Sequence, residues 1–366
     1  AATKPAPALA APSTAVGAEA AYAASLDSHI LGMATASELG SAPSEAKLNK
    51  IRSLVSVGIK AVTHLRNHVH FILHSIHRRY PGIRIIVADD EYVGVAREEW
   101  RRLTDLMNDF NVTYVQLVPR VGLSAGRNAL VEACRTKYLV LLDDDVFFSA
   151  ATRLDVLLDT LESQPHVQLA AGSYTQYNST SAASEVNDYS LNFEKVAGAG
   201  EGVWRTVRPP PQSRVIGRCQ TVHAAHNFFM ARTDTLRKYP WHPKMSIFEH
   251  EHFFLQLLLA KQTVVVCPHV SVFHYRAPNM LELNYASESL RFKEHLFARH
   301  FCDAFPQVRS FTAPFWKYDC VRFELCPQWA ALPCVPMEDA WQLVQERQRE
   351  MALMTRTSGA AALPEA

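Results

Sequence analysis

The chain has 366 residues, 48% of them hydrophobic, with 37 Lys and Arg against 36 Asp and Glu for a formal net charge of +1 at pH 7. That length and apolar content suit one large or two modest domains with a buried core, and the balanced charge argues against nucleic acid as a partner, which would need a basic face. No apolar stretch reaches the roughly 20 residues that span a bilayer, so a membrane is expected to be met only through an anchor absent from this sequence.

Residues 1–47 are rich in Ala, Pro and Ser with few aromatics and read as a flexible linker or stem. Residues 53–62 read as a first strand, and 68–79 as a helix with Val69, Ile72, Leu73 and Ile76 on its apolar face. Tyr80-Pro81-Gly82 is a turn signal, followed by a strand over 83–88 that ends at Asp89-Asp90. A carboxylate after an early strand of a nucleotide-binding sheet can accept hydrogen bonds from a base or ribose, though an acidic turn or helix cap has the same sequence.

Gly122-Leu123-Ser124-Ala125-Gly126-Arg127-Asn128 leads into an amphipathic helical segment over 129–134. Gly126 permits a tight turn or a close backbone approach, and Arg127 offers a forked cation near a helix start, where anions are favoured. Leu139-Val140-Leu141-Leu142 is then an aliphatic run of buried-strand length that ends in Asp143-Asp144-Asp145. A central strand buries both faces, so its C-terminal carboxylates meet the crevice where open α/β sheets bind ligands. Three adjacent carboxylates repel one another, and a divalent metal bearing a diphosphate would neutralise them through hard oxygen ligands.

Residues 172–226 read as a long, loop-rich insertion. Tyr174, Tyr177, Trp204 and the Pro209-Pro210-Pro211 run lie in it, with aromatics that either stack on a sugar or pack onto the core. Phe228 and Phe229 read as core. Glu249-His250-Glu251-His252 precedes an apolar helix over 253–259. Acids at a helix start complement its dipole, but four titratable groups exceed what capping needs, and a glutamate there can serve as general base. Apolar runs over 262–267 and 270–273 flank a turn at Pro268, and the second delivers His274, a candidate nitrogen ligand.

Of seven cysteines, Cys302, Cys320, Cys326 and Cys334 cluster near the end of the catalytic region, where one or two disulfides would pin the C-terminal segment in an oxidising lumen. A zinc site competes, with spacings that match no common pattern. Cys134 and Cys267 read as buried thiols. Asn111-Val112-Thr113 and Asn178-Ser179-Thr180 are glycosylation sequons. Residues 336–366 read as a tail, helical over 337–354 and then disordered.

Taken in order, Ile86-Val87-Ala88-Asp89-Asp90, Gly126-Arg127-Asn128, Lys137-Tyr138 with the aspartate triplet, Asn227-Phe228-Phe229-Met230-Ala231-Arg232-Thr233-Asp234, and the segment from Glu249 to Phe254 resemble the GT-A glycosyltransferases. Among these the sequence resembles the β-1,4-N-acetylgalactosaminyltransferases of ganglioside synthesis and their family-2-like relatives, over roughly residues 54–275. The resemblance implies an α/β fold with a GT-A type nucleotide-binding mixed sheet flanked by helices. It would form a single catalytic domain over 48–300, with a Cys-containing extension over 301–335. It also implies a metal-dependent inverting transfer of a hexosamine or hexose, GalNAc first, from a UDP-sugar donor to a glycan or glycolipid acceptor, with Mn2+ or Mg2+ as cofactor. The setting would be the Golgi lumen or another secretory compartment.

By position, Asp90 with Asp89 would contact the uracil, Thr63 and Arg66 would line the same pocket, and Arg127 would lie near the diphosphate. Asp143 and Asp145 match the ends of the DxD motif. Asp145 is expected on the metal, with Asp143 also a candidate ligand, and Asp143 and Asp144 serve ribose and supporting contacts. His274 would complete the metal site. Acceptor specificity should reside in residues 172–226, Trp241-His242-Pro243 would form another acceptor wall, and His226 and Asn227 would touch the donor sugar. Glu251 is the expected catalytic base, with Glu249 or His250 as alternatives. A non-catalytic sugar-nucleotide or glycan-binding module of the same fold and a metal-dependent phosphohydrolase are the rival readings.

Overall fold

A computed structural model of the chain describes residues 43–61, 66–90, 97–119, 121–178, 183–187, 190–197, 202–209, 213–243, 245, 249–274, 297–312, 316–320, 324–327 and 335–336. The expectations for residues 1–42, for Thr63, for Ser179-Thr180 of the second sequon and for the tail from 337 lie outside these residues, as does the side chain of Arg66.

In chain order, α1 (Glu45–Leu54) leads into β1 (Val55–Ala61), α2 (Arg66–Arg79), β2 (Arg84–Asp89), α3 (Arg97–Asp109), β3 (Val112–Gln116), α4 (Leu123–Ala133) and β4 (Tyr138–Asp143). β5 (Val146–Phe147), α5 (Leu154–Ser163), β6 (Val167–Asn178), β7 (Ala183–Asn187), β8 (Asn192–Lys195) and β9 (Val203–Val207) follow. The remainder comprises β10 (Val215–Ile216), β11 (Cys219–Val222), β12 (Phe229–Arg232), α6 (Thr233–Lys238), α7 (Glu249–Leu259), β13 (Thr263–His274) and α8 (Phe297–Ala304). Last come β14 (Ser310–Thr312), β15 (Trp316–Asp319), β16 (Glu324–Pro327) and β17 (Val335–Pro336).

The main sheet runs β10-β11-β13-β6-β12-β4-β1-β2-β3, with β5 on β13 and β7 on β6. Strands β3, β2, β1 and β4 are parallel, whereas β12 lies antiparallel between β4 and β6. The chain builds outward from β1 to β3 and then crosses back to place β4 on the other side of β1. That reversal opens a crevice at the carboxyl ends of β1 and β4, where ligands of open α/β sheets bind. This mixed sheet flanked by helices is the GT-A type arrangement expected from the resemblance.

The parallel strands are apolar on both faces because helices cover both. Leu139 and Leu141 of β4 enter one core cluster, while Tyr138, Val140 and Leu142 enter the other, the alternation that a pleated strand dictates. With both faces filled, the polar residues of β4 can emerge only at its end.

Several boundaries differ from the sequence reading. Ser53 and Leu54 finish α1, a helix N-capped by Ser44, so β1 starts at Val55 and the stem gives way to helix before residue 47. A further helix and strand, α3 and β3, lie between β2 and α4 beyond the elements read from the sequence; β3 is a partly exposed edge strand without a strong apolar signal. Helix α4 begins at Leu123, which puts Gly126 and Arg127 inside it and not in the preceding turn. The two runs around Pro268 form one strand, β13, whose register against β6 shifts between Val266 and Ser271. A register irregularity of that kind is where a strand tolerates proline.

Residues 172–226 are not the loop-rich insertion expected. They carry the end of β6 and strands β7 to β11, and Tyr174 and Trp204 are buried strand residues at 6% and 8% exposure. Strands β8 and β9 join the C-terminal strands in a second sheet, β17-β16-β15-β14-β9-β8, through parallel pairing of β9 with β14. The extension after residue 300 is thereby tied to the catalytic region, and Cys302 and Cys320 form the disulfide foreseen there. Cys134 is a buried free thiol as expected, but Cys267 is bonded to Cys219 on the adjacent strand.

Candidate active site

Asp143 closes β4, and Asp144 and Asp145 form the turn into β5. Asp143 accepts at Oδ1 from Nη2 of Arg127 at 3.0 Å and at Oδ2 from Nδ2 of Asn227 at 3.1 Å. The same guanidinium donates through Nη1 to Oε1 of Glu249 at 2.7 Å. Arg127, 1% exposed, thus bridges the end of the central strand to the head of α7. Burial opposes its charge, but Asp143 and Glu249 outweigh burial and hold the guanidinium above its ordinary pKa.

Asn227 extends this network. With its amide nitrogen on the Asp143 carboxylate, its Oδ1 faces Nδ1 of His250 at 3.1 Å and accepts from it. Burial, reinforced by the charge of Arg127, pushes His250 down to about 3. His250 is therefore a neutral imidazole at physiological pH.

Asp145 belongs to a neighbouring pair. Its Oδ2 lies 3.0 Å from Nε2 of His274, whose strand β13 ends opposite β5 through the pairing of His274 with Val146. Both side chains keep limited solvent access, 16% for Asp145 and 15% for His274. A carboxylate oxygen and an imidazole nitrogen at this spacing are a donor set that fits Mn2+, while Mg2+ prefers oxygen alone. Among the described residues no group of three His, Cys, Asp or Glu side chains is gathered as a metal site. Asp145 and His274 are the residues that could hold such an ion.

Tyr174 of β6 stands beside this pair. Its ring stacks on His226 at 4.1 Å and 12° and on His274 at 5.0 Å and 18°. Burial first, and then the charges of Asp143 and Asp145, raise its phenol well above the usual value, so it stays protonated.

Asp89 and Asp90, expected at the uracil, are both buried. Asp90 is 0% exposed; its Oδ1 accepts from Nζ of Lys60 at 2.6 Å and its Oδ2 from the Gly122 amide at 2.9 Å. Asp89, 3% exposed, accepts from the Tyr114 hydroxyl at 2.9 Å. Asp90 is drawn inward because Lys60, buried within β1, requires a buried counter-charge. Gly122 meets Asp90 with φ +96°, a backbone that favours glycine, and a Cβ on Gly126 would lie 2.2 Å from the Lys60 side chain. Lys60 escaped the sequence reading, although a lone lysine in a doubly buried strand is itself the signal for such a partner.

Asp143 likewise does not join Asp145 and His274, since both its oxygens are engaged by Arg127 and Asn227. Arg127 is committed to two protein carboxylates and is not an open phosphate ligand. Trp241 is no acceptor wall: it is 1% exposed and stacks on Phe253 at 4.2 Å, while Phe228 and Phe229 are core as expected. Asp144 is buried at 4%, and Glu251 is 8% exposed on the first turn of α7.

The family model for glycosyl transferase family 2 matches residues 65–239. The chain is 30% identical over 234 residues to the Mus musculus protein named beta-1,4 N-acetylgalactosaminyltransferase 2, covering 62% of this chain and 40% of that one. It is 31% identical over 246 residues to beta-1,4 N-acetylgalactosaminyltransferase 1 of Homo sapiens, covering 64% and 41%. The chain thus spans about two-fifths of the length of these curated relatives. A crystal structure of GalNAc-T7 with UDP, GalNAc and Mn2+ superposes with a TM-score of 0.47 at 17% identity, covering 62% of this chain and 44% of that one. The chain carries a glycosyl transferase family 2 domain and is homologous to the β-1,4-N-acetylgalactosaminyltransferases.

Proposed function

We propose that the chain is a metal-dependent inverting glycosyltransferase that moves a hexosamine or hexose, GalNAc first, from a UDP-sugar to a hydroxyl of a glycan or glycolipid. The observation that carries this reading is the meeting of the β4 aspartates with His274 and the head of α7 at the carboxyl end of the sheet. The family 2 domain supports the reaction class, and the names of the relatives support GalNAc.

In this reading Asp145 and His274 would hold Mn2+. The ion would supply charge neutralisation for the departing nucleoside diphosphate. Arg127 holds Asp143 and Glu249 in place, which fixes the β4 end against α7. The acceptor oxygen attacks the anomeric carbon opposite the leaving group, the bond to the diphosphate breaks, and configuration inverts.

Three residues at the head of α7 are candidates to take the acceptor proton. His250, pushed down to about 3 and hydrogen-bonded to Asn227, is too weak a base for neutral pH. Glu249 is occupied by Arg127. Glu251, 8% exposed on the first turn of α7, is the proposed base.

The Cys219–Cys267 and Cys302–Cys320 disulfides support an oxidising, secretory setting such as the Golgi lumen. Among the described residues no helix is long and apolar enough to cross a membrane. The test is incubation with a panel of sugar nucleotides plus Mn2+, read by thermal shift and by UDP release with and without glycan acceptors. Selective stabilisation by one UDP-sugar and acceptor-dependent UDP release are expected. Stabilisation without turnover would favour a binding module, and cleavage of simple phosphate esters a phosphohydrolase.

A further inference from the structure

We propose that Tyr174 is a positioning residue for His274, fixing the plane in which that imidazole meets a metal ion. The inference rests on the reading of Asp145 and His274 as the metal pair.

Tyr174 lies opposite Val272 in the parallel β6/β13 ladder, and Gln176 lies opposite His274. Tyr174 and His274 are thus diagonal neighbours two residues apart in register, with side chains on the same face of the sheet. His274 is the last residue of β13, and its Nε2 lies 3.0 Å from Oδ2 of Asp145. The Tyr174 ring lies nearly parallel to the imidazole, 18° between planes, and stacks on His226 as well at 12°, a stack that holds the plane of the His274 ring. The phenol ring is wedged at 6% exposure and cannot itself swing away. A metal bond to imidazole is directional, so an orienting partner acts on affinity without touching the ion.

The feature that matters is the ring. Tyr174→Phe keeps the stack and loses only the hydroxyl, whereas Tyr174→Leu removes the stack. Mn2+ affinity of the full chain in the presence of UDP, read from the EPR signal of free Mn2+, separates them. Wild type and Tyr174→Phe should agree within about twofold, and Tyr174→Leu should bind Mn2+ about 10–100-fold more weakly, the usual loss when a supporting partner is removed. UDP binding without metal should not change. Should Tyr174→Leu fail to fold, His226→Leu reads the same stack from its other side and should also weaken Mn2+ binding.

Equal Mn2+ affinity in folded Tyr174→Leu, or a loss in Tyr174→Phe as large as in Tyr174→Leu, overturns the proposal. If the wild type takes up no Mn2+ with UDP, or His274→Ala binds it undiminished, the metal reading falls and this inference with it. The two failures are distinct, because the first occurs only where His274 has been shown to matter.

Discussion

Arg127 and Glu249 stand 122 positions apart in the chain, yet their side chains form a 2.7 Å ion pair with almost no solvent access. The pair anchors α7 to the central strand, because the second arm of the same guanidinium grips Asp143. Removing the arginine leaves the buried Glu249 carboxylate and the partly exposed Asp143 without their cation, the costly half of a broken buried ion pair. Arg127→Met should lower stability by about 3–5 kcal/mol, measured by urea unfolding. Arg127→Lys should recover part of it, since an ammonium restores the charge but not the two-armed geometry.

The two glutamates of α7 should behave differently. Glu251→Gln should reduce transfer about 10²–10⁴-fold with donor binding intact, the range typical of a lost general base. Glu249→Gln should lower stability as well, because Arg127 loses a charged partner. Steady-state kinetics beside thermal melts separate the two, and a Glu251→Gln protein that retains full kcat removes Glu251 from the mechanism.

Asp145→Asn and His274→Ala should each weaken Mn2+-dependent binding of a UDP-sugar while leaving binding in EDTA unchanged. Calorimetric titration of UDP with and without Mn2+ measures this directly. If the metal-dependent increment persists in both variants, the ion sits elsewhere.

Lys60 and Asp90 form an ion pair with both side chains at 0% exposure. Lys60→Met alone strands a buried carboxylate and should cost about 3–5 kcal/mol, whereas the Lys60→Met/Asp90→Leu double variant should regain much of that loss. Urea midpoints of the four members of the cycle give the coupling. Additive losses would show that Asp90 is not held by Lys60.

Acid should destabilise the fold through two histidines. Burial, with His242 adding to it, pushes His252 down to about 4, and His250 lies at about 3. Both fall below the value of about 6.5 expected of the unfolded chain. Between those values the unfolded chain binds more protons, so stability is fully present above about pH 6.5 and declines as pH falls toward 4 and 3, by up to about 1.4 kcal/mol per pH unit for each group. Urea midpoints at several pH values should show this decline. His252→Phe, which keeps an aromatic ring against Phe305, should flatten it.

What the sequence by itself determined was local. The doubly apolar run before Asp143 made a central strand ending in acids, and the acid-rich start of the Phe253 helix fixed a head of titratable groups, because period and burial are written in neighbouring residues. The order of such motifs was enough to indicate the family. Tertiary structure decided which charges meet. His274 reaches Asp145 across 129 positions, Arg127 takes up Asp143 and Glu249, and Asp90 turns inward to Lys60. The Cys219–Cys267 bond and the Tyr174 stack belong with these. A buried charge or ring is satisfied by whichever group the folded sheet brings within a few ångströms, and strand order and register set that distance, not spacing along the chain.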